Sequence, residues 1–153
     1  MRAAIHLTQA VADQVLAHAV AEAPMEACGL LSGPPSDGAT VLATRYHPAR
    51  NALASATAFD VHPEDLVSIV NAIDSAGEVL AGTVHSHPRG PAVPSPTDVR
   101  ESRYPVAHLV VSLLSPSASP IEALRAWRIG PVAAHELELT IAPGTSRVSS
   151  RGR

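Results

Sequence analysis

Lysine is missing from this 153-residue chain, in which all eleven basic residues are arginine. No side chain can therefore form a Schiff base with a carbonyl substrate or accept an isopeptide bond. Aromatic residues make up only 3% of the sequence, too few flat rings to stack successive bases, which argues against single-stranded nucleic acid as a partner. Charge is scarce as well. The formal net charge is −3 and the basic residues cluster only at the end, where Arg147, Arg151 and Arg153 lie, so no polyanion-binding footprint exists. Cys28 stands alone, which excludes an intramolecular disulfide and a four-cysteine zinc module, and makes a reducing cytoplasm the expected setting. The first twelve residues lack a continuous apolar stretch, and no apolar run approaches the roughly 18 residues of a membrane span. The expectation is a soluble, unexported protein with no membrane partner.

What remains is a globular composition. Hydrophobic residues account for 46% and charged residues for 16%, enough for a real core built from Ala, Val, Leu and Ile, and the length fits one domain. Thr8 is an N-cap for an amphipathic helix in which Val11, Ala12, Val15, Leu16, Ala19 and Val20 recur at helical spacing, ending before Pro24. Ala27–Ser32 reads as a buried strand closed by Gly33-Pro34-Pro35, and Thr40–Tyr46 and Ala56–Val61 as further strands. Pro63 opens a second helix with Leu66, Ile69, Val70 and Ile73 as its buried stripe and Gly77 at its C-terminal end. Val79–Val84 is uncharged and apolar enough for a central strand. Ser95 begins a third helix, and Val106–Leu114, Ile121–Ile129 and Val132–Ile141 read as strands. These elements predict an α/β (α+β) sandwich, a mixed central sheet flanked by helices, with one domain over residues 1–141 and a flexible basic tail over 142–153.

The chemistry is concentrated where the central strand ends. His85 and His87 are two residues apart, so on a strand their side chains share a face, as two ligands of one metal must. A bare His-x-His is also what two solvated histidines at a strand end look like. Here the apolar run before the pair and the prolines at 88, 91 and 94 after it give a buried, stiffened setting. Ser95-Pro96-Thr97-Asp98, whose acid lies eleven residues beyond His87, has the form of an ordinary helix start, with serine at the cap and an acid three residues later. The same start holds Asp98 rigidly, and the intervening loop is long enough to fold it back onto the strand end. Two imidazoles and a carboxylate leave a fourth tetrahedral position free, the pattern of a catalytic zinc site. Glu26, between the first helix and an apolar strand, is either an exposed acid or the carboxylate that moves a proton.

Together, Glu26 ahead of Cys28-Gly29-Leu30-Leu31, His85-Ser86-His87-Pro88 and, with seven residues intervening after His87, Ser95-Pro96-Thr97-Asp98 resemble the JAMM (MPN+) metalloproteases. The resemblance implies a JAB/MPN-like fold of cytidine-deaminase-like architecture. It implies one zinc ion on His85, His87 and Asp98, with Glu26 as general acid/base and the Ser95 hydroxyl as an oxyanion donor. Ser86, pointing to the opposite face, is expected to support structure. The implied substrate is a ubiquitin-like or sulfur-carrier protein, cleaved after its C-terminal Gly-Gly. The chain has no room for the long insertions of eukaryotic deubiquitinases and resembles the compact bacterial branch, some of whose members look like carboxypeptidases acting on sulfur carriers. Strand addition near Leu53–Asp60 would hold the tail, and Arg89 is either a solvated loop residue or a contact for a substrate carboxylate. A homodimer is left open.

Other classes fail on specific residues. Nucleobase deaminases need Pro-Cys-x-x-Cys, which one cysteine cannot supply, and His135-Glu136 has no second histidine four residues on for a helical zinc motif. His6, His18, His47, His62, His108 and His135 have no partner pattern and read as surface or satisfied core residues. A metal-free binding scaffold of the same fold would normally lack a ligand, whereas this chain keeps the full set. A RadC-like, DNA-repair-associated protein would carry an added helical region that is not visible here.

Overall fold

A computed structural model describes residues 3–142 and the backbone of 145–147. In chain order the elements are β1 (Ala4–Leu7), α1 (Gln9–Glu22), β2 (Cys28–Gly33), β3 (Thr40–Ala43), β4 (Arg45–Ala49), α2 (Pro63–Ser75), β5 (Val79–His87), α3 (Pro96–Glu101), β6 (Ala107–Ser112), α4 (Pro120–Ala123), β7 (Leu124–Ile129), β8 (Ala134–Ile141) and β9 (Thr145–Arg147). The strands form one mixed sheet in the order β3-β1-β8-β7-β6-β5-β2-β4, with β9 paired to β8. β5 lies in its interior, antiparallel to β2 and parallel to β6.

Local chemistry explains the helices. The Thr8 hydroxyl accepts the Val11 N–H at 3.2 Å and starts α1. α2 ends on Gly77 at φ +68°, a left-handed position that glycine takes without strain. Its N–H donates to Asp74 O and that of Glu78 to Ile73 O, the paired bonds of a Schellman ending.

The two-residue period of β5 separates the core from the site. Val84 joins a large apolar cluster with Leu31, Leu109, Val111, Leu139 and the α1 residues Val11, Val15 and Ala19. The alternate residues Thr83, His85 and His87 lie on the other face, where α2 packs Ile69 and Ile73 against Cys28 and Leu30. Ser86 points away from the histidines as expected. Its Oγ accepts the Ala27 N–H at 2.7 Å and its N–H donates to Ala27 O, fastening the end of β5 to the segment that carries Glu26.

The structure departs from the expectations at six points. β1 was not anticipated, because four residues of weak alternation carry little signal. The strand expected over 40–46 is two, β3 and β4, at opposite ends of the strand order. Thr44 switches the chain between them and donates its N–H to Ser32 O, so the sheet curls until its edges approach. Gly33 permits that approach, since a Cβ there would sit 2.1 Å from Leu42 O. Ala56–Val61 forms a loop, with only Val61 in a bridge to Asn51. Val70 is 44% exposed, leaving Leu66, Ile69 and Ile73 as the inner stripe of α2. The expected strand 121–129 begins as the short helix α4, where Ser119 and Glu122 form a capping box. Of the tail expected over 142–153, Thr145–Arg147 pair with Leu139–Ile141 of β8, beyond the point where β7 stops pairing at Leu137. Backbone groups left open on β8 are thereby satisfied. Residues 143, 144 and 148–153, which hold most of that tail, lie outside the described residues. Among the described residues, no helix is long and apolar enough to cross a membrane.

Candidate metal centre

β5 delivers His85 buried, at 1% exposure, and His87 half-buried beside it. The Nε2 atoms of the two rings are 3.2 Å apart. α3 closes the third corner: Asp98 Oδ2 lies 3.0 Å from His85 Nε2 and 3.1 Å from His87 Nε2. Its backbone is held by a full capping box, in which Ser95 Oγ accepts the Asp98 N–H at 3.0 Å and Asp98 Oδ2 accepts the Ser95 N–H at 2.8 Å. The His87 Nδ1 is 2.8 Å from Pro91 O. A carbonyl can only accept, so Nδ1 carries a proton in either charge state, and Nε2 is left to donate to Asp98 when the ring is charged or to offer its lone pair to a metal.

Electrostatics follow from this geometry. Burial alone would raise the Asp98 pKa, but hydrogen bonds with His85 and His87 and the Ser95 N–H hold the carboxyl well below the usual range. Burial lowers the His85 pKa, with the hydrogen bond and charge of Asp98 opposing. For His87 burial also pulls downward, and bonds to Asp98 and Pro91 O outweigh it and raise the pKa.

Glu26 sits at the entrance of β2, 4% exposed, with a carboxylate oxygen within 4.8 Å of the His85 and His87 ligand atoms. Its Oε1 is buried without a hydrogen-bond partner. Burial pushes its pKa up to about 7, with the neighbouring His87 opposing. The acid expected between helix and strand is thus the buried one.

The donor set fits zinc. At metal–ligand distances of about 2.0–2.1 Å, the donors of a tetrahedral site lie roughly 3.3–3.4 Å apart. The three separations of 3.0 to 3.2 Å among His85, His87 and Asp98 come within a few tenths of an ångström of those edges. Glu26 could serve as a fourth donor or stand one atom further out.

The structure therefore brings together five of the six residues singled out in the sequence: Glu26, His85, His87, Ser95 and Asp98. Arg89 is exposed on the turn after β5 and has no ion pair or hydrogen bond among the described residues. Residues beyond that set also shape the centre. Phe59 stacks on the His85 ring at 4.5 Å and 17°. It also lines a cleft of about 370 Å³ that opens onto His85 and Asp98, with Leu30, Leu53 and Val61 beside it. His108 is buried, its Nδ1 2.8 Å from Thr83 Oγ1 and its Nε2 3.1 Å from Tyr104 O, which makes it a satisfied core residue as expected. Nothing in the composition around Phe59 marks it, since its partner is 26 residues away in the chain.

Several known proteins are similar to this chain. Over 98 residues the chain is 42% identical to a desampylase from Haloferax volcanii, covering 61% of this chain and 68% of the relative. Over 117 residues it is 34% identical to a CysO-cysteine peptidase from Mycobacterium tuberculosis, covering 76% and 77%. The solution structure of a Desulfitobacterium hafniense protein superposes with a TM-score of 0.81 at 30% identity, over 97% of this chain and 98% of that one. The family model described as prokaryotic homologues of the JAB domain matches residues 8–130, a span that holds the whole cluster from Glu26 to Asp98, and the chain belongs to that family.

Proposed function

We propose that the protein is a zinc peptidase that hydrolyses the bond following the C-terminal Gly-Gly of a ubiquitin-like or sulfur-carrier protein, with one zinc ion on His85, His87 and Asp98. The observation that carries this reading is the convergence of both Nε2 atoms and Asp98 Oδ2 within 3.2 Å, beside a buried carboxylate with an unpartnered oxygen. The names of the relatives, a desampylase and a CysO-cysteine peptidase, support the substrate class.

Zinc held there would act as a Lewis acid on the scissile carbonyl and lower the pKa of a water to about 7. Glu26 takes a proton from the attacking water and passes it to the leaving amine. A carboxyl with a pKa raised to about 7 populates both states near neutrality, which suits a group that must accept and then donate. Ser95 Oγ accepts a bond as the cap of α3, and its own O–H remains to donate to the oxyanion. The cap role and the catalytic role use different parts of one hydroxyl. The stretch 53–60 is a loop, so pairing of a substrate tail there would form only on binding. A tail of two glycines has no Cβ to obstruct an approach to the buried donors.

The test is incubation of the purified protein with a Gly-Gly carrier extended by one residue, followed by product mass. Wild type should release that residue, Glu26→Gln should retain zinc without turnover, and His85→Ala should lose both. Full activity in Glu26→Gln would remove the mechanism, and a metal-free, inert wild type would favour a binding scaffold.

A further inference from the structure

Asn51 lies outside the donor cluster, yet its carboxamide uses its full hydrogen-bonding capacity on the segments around it. Oδ1 accepts the Leu53 N–H at 3.1 Å and the Asp60 N–H at 3.0 Å, closing the loop between them. Nδ2 donates to Ala58 O at 2.9 Å and to Glu26 O at 3.2 Å. The loop returns the contact, because Ser55 O accepts the Glu26 N–H at 2.8 Å. Both peptide groups flanking the Glu26 Cα are therefore held by this one loop. The same loop carries Phe59 onto the His85 ring and walls the cleft.

We propose that Asn51 is a positioning residue that fixes the Glu26 carboxylate relative to the histidines and ties its placement to the wall of the substrate cleft. Glu26 has no side-chain bond at Oε1 to aim it, so its direction depends on its backbone. That backbone is clamped by Asn51 on one side and by Ser55 on the other. The proposal rests on Glu26 being the proton carrier of the reaction above.

Asn51→Asp separates the two halves of the side chain's work. It keeps the shape and the oxygen that receives Leu53 and Asp60, and replaces the two donated bonds with a carboxylate oxygen facing two carbonyls. Loss of these two part-buried donated bonds should lower kcat on the extended carrier by about 10- to 100-fold. Zinc affinity should stay within about 3-fold, because the metal donors are untouched, and KM should change less than kcat, because Oδ1 still closes the loop through Leu53 and Asp60 although the bond to Ala58 O is lost. Asn51→Ala removes both halves, so kcat should fall at least as far and KM should rise as the loop loosens. A substrate-free measurement accompanies the kinetics: amide exchange at Glu26 should accelerate by about 10-fold or more in both variants, while Leu31 and Val84 in the sheet keep their rates. An unchanged kcat in Asn51→Asp, a loss of zinc equal to the loss of kcat, or unaltered exchange at Glu26 would each overturn the proposal. Inactivity of the wild type on every Gly-Gly carrier would instead remove the enzymatic reading, and exchange at Glu26 would still decide whether Asn51 clamps it.

Discussion

Strand β5 and helix α3 meet at one cluster but are held there by different forces. β5 is nine residues long, hydrogen-bonded to β2 and β6 on its two sides, and its histidine face is backed by the main apolar core. α3 has six residues and none of them is buried. Hydrophobic packing cannot fix a helix of that kind, and so short a helix has little stability of its own. Its position comes from the Ser95–Asp98 capping box and from the contacts of Asp98 with His85 and His87. One half of the centre is therefore a product of folding, and the other is latched by polar contacts that the metal itself would reinforce.

The sharpest test of that difference compares ligands with latches. His85→Ala removes a donor from the rigid half, and zinc affinity should fall far beyond the roughly 10- to 100-fold that loss of a supporting hydrogen bond costs. Ser95→Ala leaves every metal donor in place and removes the cap together with the oxyanion hydroxyl, of which only the cap bears on zinc binding. It should weaken zinc by about 10-fold and destabilise the protein by about 1 kcal/mol, measured by chelator competition and urea unfolding. Equal zinc affinity in Ser95→Ala and wild type would show that the cap does not hold α3.

A smaller effect marks the rigid half. Burial raises the Glu26 pKa from an ordinary value of 4.5 to about 7 in the folded protein. The folded state therefore binds the proton more tightly than the unfolded chain. Stability from this group is complete below about pH 4.5 and is lost as pH rises through about 7. Metal-free wild type should lose thermal stability relative to metal-free Glu26→Gln between pH 5 and 8, as calorimetry can measure. A parallel pH dependence in the two proteins would show that Glu26 is solvated.

The same contrast separates what could be read from the sequence. Val79–Val84 and its two histidines were legible because burial on both faces leaves a long apolar run, and the period of a strand then fixes which side chains share a face. Ser95 to Asp98 was legible for a local reason, since a capping box is written in four consecutive residues. Asn51 and Phe59 were not legible. Their partners, Glu26 and His85, are distant in the chain, and the loop between them takes its shape from one side chain, not from a periodic pattern. The apparent strand 56–61 was misread for that reason: Asn51 takes up backbone groups that a neighbouring strand would have paired.

Arg89 offers the smallest effect and the finest discrimination. It is exposed two residues beyond His87, on the turn that leaves the rigid half. A carrier extended by one residue presents a free α-carboxylate next to the scissile bond, whereas a lysine in an isopeptide conjugate has its own carboxyl bound in a chain. If Arg89 meets that carboxylate in solvent, the pair is worth at most about 1 kcal/mol, so Arg89→Ala should raise KM by roughly 2- to 5-fold for the extended carrier and leave kcat unchanged. The isopeptide conjugate should be cleaved with the same KM by both proteins. Added salt should erase the difference, because the contact is screened. Equal KM values on the extended carrier would return Arg89 to an ordinary solvated loop residue, with selection between the two substrate types left to the cleft walled by Leu53 and Phe59.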